Sequence, residues 1–305
     1  MLPVVAFVSL SFASDLPPLS DGRAVIHGRA GESAIVITTT ARVAGAIHSL
    51  TWGGKEFIDS FDHGRQLQSA ANFDLGTPIT AETFNPTEAG ARRDGSGQRS
   101  SSRLLHMVAA GNTLQTTTQM AFWLAPGERS GGNPAKNTTV VSNHLVTKRV
   151  QIGYKNLPHV IDYRVTFSVP VGERHTHAVF EALTGYMPAE FERFWKFNPQ
   201  SGELAALDDG PGEQAWPVVL ATAPGGHAMG VYSPDQPSRG FEGAGYGRWR
   251  FGPERVVKWN CVFRSSSPPE AIAAGEYTYR LFVIVGDLAT VRDSLGELHR
   301  KFRRD

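Results

Sequence analysis

Apolar and polar positions alternate along most of this chain, as in strands that bury one face. β-Branched residues fill these stretches, and turns containing Gly, Asn or Pro separate them. The pattern predicts strands at 33–39, 45–52, 103–109, 113–124, 139–152, 159–169, 175–186, 217–221, 228–232, 255–264 and 277–285. Long strands joined by short turns favour an all-β fold, a large antiparallel β-sandwich rather than a small barrel.

One helix is predicted at the C-terminal end, over residues 287–303. Asp287 can cap its first turn, and apolar residues then recur every three or four positions, as on the buried face of a helix. These residues are Leu288, Val291, Leu295, Leu298 and Phe302. A second, shorter helix is predicted at 189–195. No repeat or linker divides the chain, so residues 15–305 are expected to form a single domain.

Residues 1–14 (MLPVVAFVSLSFAS) combine an apolar run with small residues. This resembles the hydrophobic part and cleavage end of a secretory signal peptide, although the usual positive start is missing. The alternative is an N-terminal arm or first strand packed on the core. The segment predicts a secreted or periplasmic protein.

Composition narrows the function classes. Lys and Arg number 30 and Asp and Glu 29, for a net charge of +1, which argues against a dedicated nucleic-acid partner. No apolar run approaches the roughly 18 residues of a membrane span. The lone Cys261 excludes an intrachain disulfide and a cysteine-based zinc cluster. Phosphate-binding glycine motifs and G-x-S-x-G are absent from the sequence, which disfavours nucleotide chemistry and serine hydrolysis.

Segments 59–102 and 198–214 interrupt the strand pattern, and long loops on a rigid β scaffold often carry sites. In the first, polar side chains stand among glycines: Asp62, His63, Arg65, Gln68, Asn85, Glu88, Arg92 and Arg93. Guanidinium, amide and carboxylate groups suit sugar hydroxyls or a uronate carboxylate. The alternative is an internal ion-paired network of Asp62, Arg65 and Glu88 that fixes the loop.

A second candidate region is 174–188. In a strand, His175, His177, Val179 and Glu181 share one face. Two imidazoles and a carboxylate can divide acid and base roles, or bind a metal with a further histidine from another strand or loop, for which His63, His106 and His144 are available. The alternative is a polar strand face turned to water.

Two reactions remain open for these residues. A tyrosine or histidine beside an arginine suits β-elimination from a uronate, whereas a carboxylate pair suits glycoside hydrolysis. Tyr186 and Glu190 lie in the same region. Farther along, Trp249 between two arginines is a candidate wall for a sugar ring, whereas strand alternation predicts that Trp259 is buried.

Long antiparallel strands, the motif His63-Gly64-Arg65-Gln66, histidines in a central strand and late acidic residues together resemble the galactose mutarotase-like β-supersandwich superfamily. The resemblance covers roughly residues 20–285. It implies a saccharide site on a concave sheet face, in a group that holds aldose epimerases, glycoside hydrolases and polysaccharide lyases. The epimerases use a strand histidine as acid, which His175 or His177 would match, and a late glutamate as base, for which only Glu254 and Glu276 are candidates.

The resulting hypothesis is an enzyme that cleaves glycosidic bonds of an extracellular or periplasmic glycan, as a lyase or glycoside hydrolase. The candidate catalytic residues are His63, His177, Tyr186, Glu88 and Glu181. The candidate substrate-binding residues are Asp62, Arg65, Gln68, Asn85, Arg92, Arg93, His175, Glu190 and Trp249. The alternatives are an aldose 1-epimerase and a non-catalytic carbohydrate-binding or envelope protein. The chemistry requires no organic cofactor, and a structural metal such as calcium is compatible with it. The expected partner is a saccharide, with no nucleic acid and no membrane.

Overall fold

Antiparallel strands form most of the chain in the computed structural model, which describes residues 20–76, 78–267 and 271–302. The segment 1–14, predicted to direct export, lies outside the described residues. The strands of the N-terminal half are β1 (Ala24–Ala30), β2 (Ser33–Thr39), β3 (Ile47–Trp52), β4 (Lys55–Glu56), β5 (Leu67–Phe73), β6 (Pro86–Thr87), β7 (Arg103–Ala110), β8 (Thr113–Phe122), β9 (Arg129–Ser130), β10 (Asn133–Pro134) and β11 (Val141–Tyr154).

The strands of the C-terminal half precede a single long helix. They are β12 (Leu157–Val169), β13 (His177–Pro188), β14 (Arg193–Asn198), β15 (Glu203–Ala206), β16 (Gly212–Gln214), β17 (Val218–Ala221), β18 (Ala228–Tyr232), β19 (Tyr246–Phe251), β20 (Val256–Ser266) and β21 (Gly275–Gly286). The helix α1 spans Leu288–Phe302, and short 3₁₀ turns lie at Ala41–Val43 and Arg92–Asp94.

The strand pairings follow two paths. One runs β7-β8-β11-β12-β21-β18-β17-β14-β15, and the other runs β1-β2-β3-β5-β13-β20-β19-β16. The short β6 joins them, since it pairs with both β5 and β8. Buried side chains of both paths form one hydrophobic core. The predicted large antiparallel β-sandwich with one C-terminal helix is confirmed.

Strand alternation decides which side chains enter the core. In β20, Val257, Trp259, Cys261 and Phe263 are fully or almost fully buried in it, as predicted for Trp259. The residues between them therefore point to the other face of the sheet, and that face carries the candidate site.

The helix α1 packs Val291, Leu295 and Leu298 against β18 and β21 in a second apolar cluster. Its first turn is capped as predicted, because the backbone N–H of Thr290 donates to Oδ1 of Asp287 at 2.7 Å. No helix of the described residues is long and apolar enough to cross a membrane.

The predicted short helix at 189–195 is wrong. Residues 193–198 form β14, which pairs with β15 and β17. Phe194 and Phe197 are both buried there, so tertiary packing against neighbouring strands overrides the local apolar spacing.

Candidate functional site

Three neighbouring strands, β5, β13 and β20, provide the floor of a cavity of about 380 Å³. Register places Glu181 beside both Ala70 and Val262, and Tyr186 beside Lys258. The side chains that point away from the core therefore meet on one face. We call this hollow the central cavity. Its polar lining consists of Gln68, Asn72, Glu82, Asn85, Thr87, Glu181, Thr184, Tyr186, Glu213, Lys258, Asn260 and Arg264.

A charged cluster lies on this floor. Nζ of Lys258 is 2.8 Å from Oε1 of Glu181, and Nδ2 of Asn260 donates to the same oxygen at 2.9 Å. The ammonium also lies 5.1 Å from the ring centroid of Tyr186 and 4.9 Å from that of Trp249, within cation–π range. Lys258 therefore contacts the carboxylate of Glu181, the phenol ring of Tyr186 and the indole of Trp249.

The surroundings shift the pKa values of all three ionisable side chains in this cluster. Burial favours the neutral acid at Glu181, but the Lys258 ammonium and the hydrogen bonds to the carboxylate outweigh this and lower its pKa. Burial raises the pKa of Tyr186, although Lys258 opposes the rise. Burial of the ammonium lowers the pKa of Lys258, but the attraction of Glu181 and Tyr186 and the hydrogen bonds to both together outweigh burial, so the pKa is raised. Near neutral pH the cavity therefore holds a carboxylate, an ammonium and a protonated phenol.

Two indoles, Trp123 and Trp249, contribute to the cavity lining, and each lies against a glycine. A Cβ added to Gly64 would lie 2.8 Å from Cη2 of Trp123, and one added to Gly247 would lie 2.3 Å from Cη2 of Trp249. The missing side chains give the indoles room to lie close to the backbone. Aromatic faces at such positions suit the apolar face of a pyranose ring.

The central cavity adjoins a second hollow of about 650 Å³, which we call the side cavity. Val179 and Arg264 line both. Nη2 of Arg264 donates to both carboxylate oxygens of Glu213, to Oε1 at 2.8 Å and to Oε2 at 2.7 Å. His177 lines the side cavity, and its side chain is 43% exposed.

The structure brings five predicted site residues together in the central cavity: Gln68, Asn85, Glu181, Tyr186 and Trp249. His177 and Glu181 lie on the same outward face of β13, but His177 belongs to the side cavity. Gln68 and Asn85 are largely held by backbone, since Nε2 of Gln68 donates to the Gly64 carbonyl and Nδ2 of Asn85 to that of Ala71.

Two predicted residues, Arg65 and Glu190, line a separate surface hollow. Nε of Arg65 lies 3.2 Å from Oδ2 of Asp62, and Glu190 forms an ion pair with Lys55. Gly64 of the Asp62–Arg65 tract lines the central cavity, as residues of β13 do, so the tract and β13 border the same cavity.

His63 and Glu88 do not line either cavity, and their burial contradicts the predicted catalytic roles. Both ring nitrogens of His63 lie 2.7 Å from backbone carbonyl oxygens, those of Gly95 and Arg42. Glu88 is completely buried and lies 2.6 Å from Nζ of Lys148. The polar atoms of both residues are already engaged inside the fold.

The predicted substrate-binding roles of Arg92, Arg93 and His175 also need correction. The Arg92 side chain contacts Glu128 and the Arg129 carbonyl at the surface and does not line either cavity. Arg93 is exposed and lines neither cavity. His175 precedes β13 and is fully buried, so it does not share the outward face with His177.

The sequence analysis missed Lys258, Asn260 and Trp123. Alternation in β20 identifies Trp259 as a core residue, and the same rule places Lys258 and Asn260 on the opposite face. Their neighbours on that face come from β13 and β5, which only the strand register reveals.

No protein-family model and no curated protein sequence matches this chain. Similar solved structures include a galactose mutarotase related enzyme from Lactobacillus acidophilus, at 9% identity and a TM-score of 0.43 over 87% of this chain and 97% of that chain. The GH36 alpha-galactosidase AgaB from Geobacillus stearothermophilus has 10% identity and a TM-score of 0.45, over 87% of this chain and 41% of that chain. An AgaA variant from the same organism, in complex with stachyose, has 9% identity and a TM-score of 0.43, over 87% and 41%.

This chain thus spans about two fifths of the length of those alpha-galactosidases. The TM-scores of these structures all lie below 0.5.

Proposed function

We propose that this protein is an enzyme that binds a saccharide in the central cavity and cleaves one of its glycosidic bonds by acid–base chemistry. The observation that supports this most strongly is the cluster of Glu181, Lys258 and Tyr186. It supplies an ionised carboxylate and a protonated phenol on the floor of a cavity lined by two tryptophans. At neutral pH the carboxylate can accept a proton and the phenol can donate one, which are the two roles that such a reaction needs.

The cluster suggests a hydrolytic step. Tyr186 retains its proton and would donate it to the leaving glycosidic oxygen as the bond from that oxygen to the anomeric carbon breaks. A water molecule would add its oxygen to the anomeric carbon and lose a proton to the Glu181 carboxylate. Lys258 lies beside both groups and would stabilise the phenolate until the proton returns.

The charges of the central cavity favour a neutral sugar. Its lining has three carboxylates (Glu82, Glu181 and Glu213) against two cations (Lys258 and Arg264). A uronate would therefore meet no excess of positive charge, and β-elimination needs a cation to neutralise the uronate carboxylate. Hydrolysis is for this reason preferred to a lyase reaction.

The side cavity favours a chain of sugars over a free monosaccharide. It adjoins the central cavity at Val179 and Arg264, so a second ring has space next to the first. An aldose 1-epimerase could use the same acid and base, but its substrate is a single free sugar. If residues 1–14 direct export, the glycan is met outside the cytoplasm.

The test is a panel of neutral and uronic oligo- and polysaccharides. We expect new reducing ends from a neutral glycan, without the ultraviolet absorbance of unsaturated uronates. Glu181→Gln and Tyr186→Phe should each lower kcat at least about 100-fold. Glu297→Gln, which changes an exposed carboxylate that lines neither cavity, is the matched control and should leave kcat unchanged.

Each other outcome selects a different reaction. Unsaturated products would identify a lyase, and faster interconversion of sugar anomers without cleavage would identify an epimerase. Saccharide binding without any turnover would identify a non-catalytic binding protein. Each of these three results overturns the proposed hydrolysis.

A further inference from the structure

Two histidines and a glutamate converge at one end of the sandwich, outside the central cavity. Nε2 of His144 lies 2.7 Å from Oε2 of Glu173, and Nε2 of His175 lies 2.9 Å from the same oxygen. All three atoms lie within 4.8 Å of one another. His144 belongs to β11, whereas Glu173 and His175 lie between β12 and β13.

The ring nitrogen Nδ1 of His175 points at a hydrogen-bond acceptor. Nδ1 lies 2.5 Å from the carbonyl oxygen of Asp74. A carbonyl only accepts, so Nδ1 carries a proton and the ring directs Nε2 at the Glu173 carboxylate. A metal ion bound there would replace the hydrogen bond between Nε2 and Glu173. A histidine that donates Nδ1–H to a backbone carbonyl and offers Nε2 inward is the usual arrangement of a metal ligand.

Packing holds both imidazoles in place without any ion. The Phe73 ring lies 4.7 Å from each of them, nearly parallel to His144 and tilted by 34° from His175. His144 and His175 are buried to 2% and 0% exposure. The glutamate side chain is 23% exposed and belongs to a connection between strands, so it retains freedom to adjust.

We propose that His144, Glu173 and His175 form a binding site for a divalent transition-metal ion, of which zinc fits the donors well. Two imidazole nitrogens and one carboxylate oxygen are a common zinc set, and imidazole disfavours magnesium and calcium. Zinc holds such ligands at about 2.0–2.2 Å, so the ligand atoms must separate slightly from their present hydrogen-bonding distances. Glu173 can supply that movement, and a water molecule would complete the coordination from the solvent side.

The ion would also stabilise the wall of the side cavity. Asp74 accepts from His175 through its carbonyl, and its carboxylate accepts from the backbone N–H groups of Thr176 and His177 at 2.8 and 2.9 Å. Asp74 and His177 both line the side cavity. The metal site therefore joins the segment before β13 to the end of β5 and the start of β11, independently of the reaction proposed above.

The experiment measures zinc binding to the full chain, after chelator treatment and removal of any histidine tag. We expect one equivalent of zinc by calorimetric titration and a higher melting temperature in excess zinc. Cobalt(II) should give the intense visible absorption of a four- or five-coordinate site. Glu173→Gln should weaken zinc binding at least about ten-fold.

His106→Gln is the matched control, since His106 is exposed and is not part of the cluster, so its loss should not change the stoichiometry. The proposal is wrong if zinc binds with no fixed stoichiometry, or if Glu173→Gln binds as tightly as the unmodified chain. A weak, octahedral-type cobalt spectrum in the unmodified chain would overturn it as well, and this readout does not depend on the folding of any variant.

Discussion

The buried ion pair of Lys148 and Glu88 makes a strong prediction about stability. Nζ of Lys148 lies 2.6 Å from Oε1 of Glu88, and the side chains are 1% and 0% exposed. Lys148→Met keeps the apolar stem but removes the cation, leaving an unpaired carboxylate between the sheets. Removing one partner of a buried pair costs about 3–5 kcal/mol of the free energy of unfolding.

The double variant Glu88→Gln/Lys148→Met separates charge from packing. Oε2 of Glu88 also accepts from the backbone N–H of Ser69 at 2.9 Å, and the glutamine oxygen can keep that bond. No charge then remains in the interior, so we expect the double variant to recover most of the stability that Lys148→Met loses. An apolar replacement of a whole buried pair is often close to neutral.

Urea unfolding followed by tryptophan fluorescence measures these free energies. The control is the surface pair of Arg300 and Glu297, whose side chains are 68% and 53% exposed. Arg300→Met should cost less than about 1 kcal/mol, because water already screens that pair. A loss below about 1 kcal/mol for Lys148→Met, or a double variant no more stable than the single one, would refute this reasoning.

Three further predictions concern the central cavity. Trp249→Ala should weaken saccharide binding about ten-fold or more in calorimetry with little loss of stability, whereas Trp259→Ala should cost about 3–5 kcal/mol in urea unfolding. Gly247→Ala should also weaken binding, because its Cβ would lie 2.3 Å from the Trp249 ring, whereas Gly243→Ala, which meets nothing within 4 Å, should not. The pKa of Glu181 lies below the ordinary value of 4.5, so its contribution to stability is present above that pH and is lost as the pH falls through the lower folded value. Glu181→Gln should therefore lower the melting temperature at pH 7, and the difference should narrow below about pH 4.5.

Alternation alone could locate most strands, because one buried face imposes a period of two. The predicted strand at 33–39 matches β2 at both ends. The same rule failed for β5, which lies inside the segment expected to be a loop. Both faces of β5 are buried, one against the core and one under the central cavity, and its residues LQSAANF are too small and mixed to alternate.

The site was only partly predictable, because its residues come from three strands. The sequence of one strand does not reveal its register with the other two. Glu181 could be identified as a polar residue on the outward face of β13, but its partner Lys258 lies 77 positions later and meets it only through the pairing of β13 with β20. Polar residues beside glycines look the same in sequence whether they face a cavity or the interior. That is why His63 and Glu88 were assigned catalytic roles that their burial contradicts.

Glu88, Glu173 and Glu181 each have a basic partner, and solvent access distinguishes what each can do. Glu88 meets Lys148 with neither atom accessible, so no ligand can replace either partner and the pair contributes only to stability. Glu173 faces two histidines at a partly exposed turn, where a metal ion can enter. Glu181 meets Lys258 on the floor of an open cavity, where a sugar hydroxyl can take over one of their hydrogen bonds without unfolding anything. The proposed acid–base chemistry therefore involves Glu181, because a buried charge and an incoming substrate can lie next to each other there.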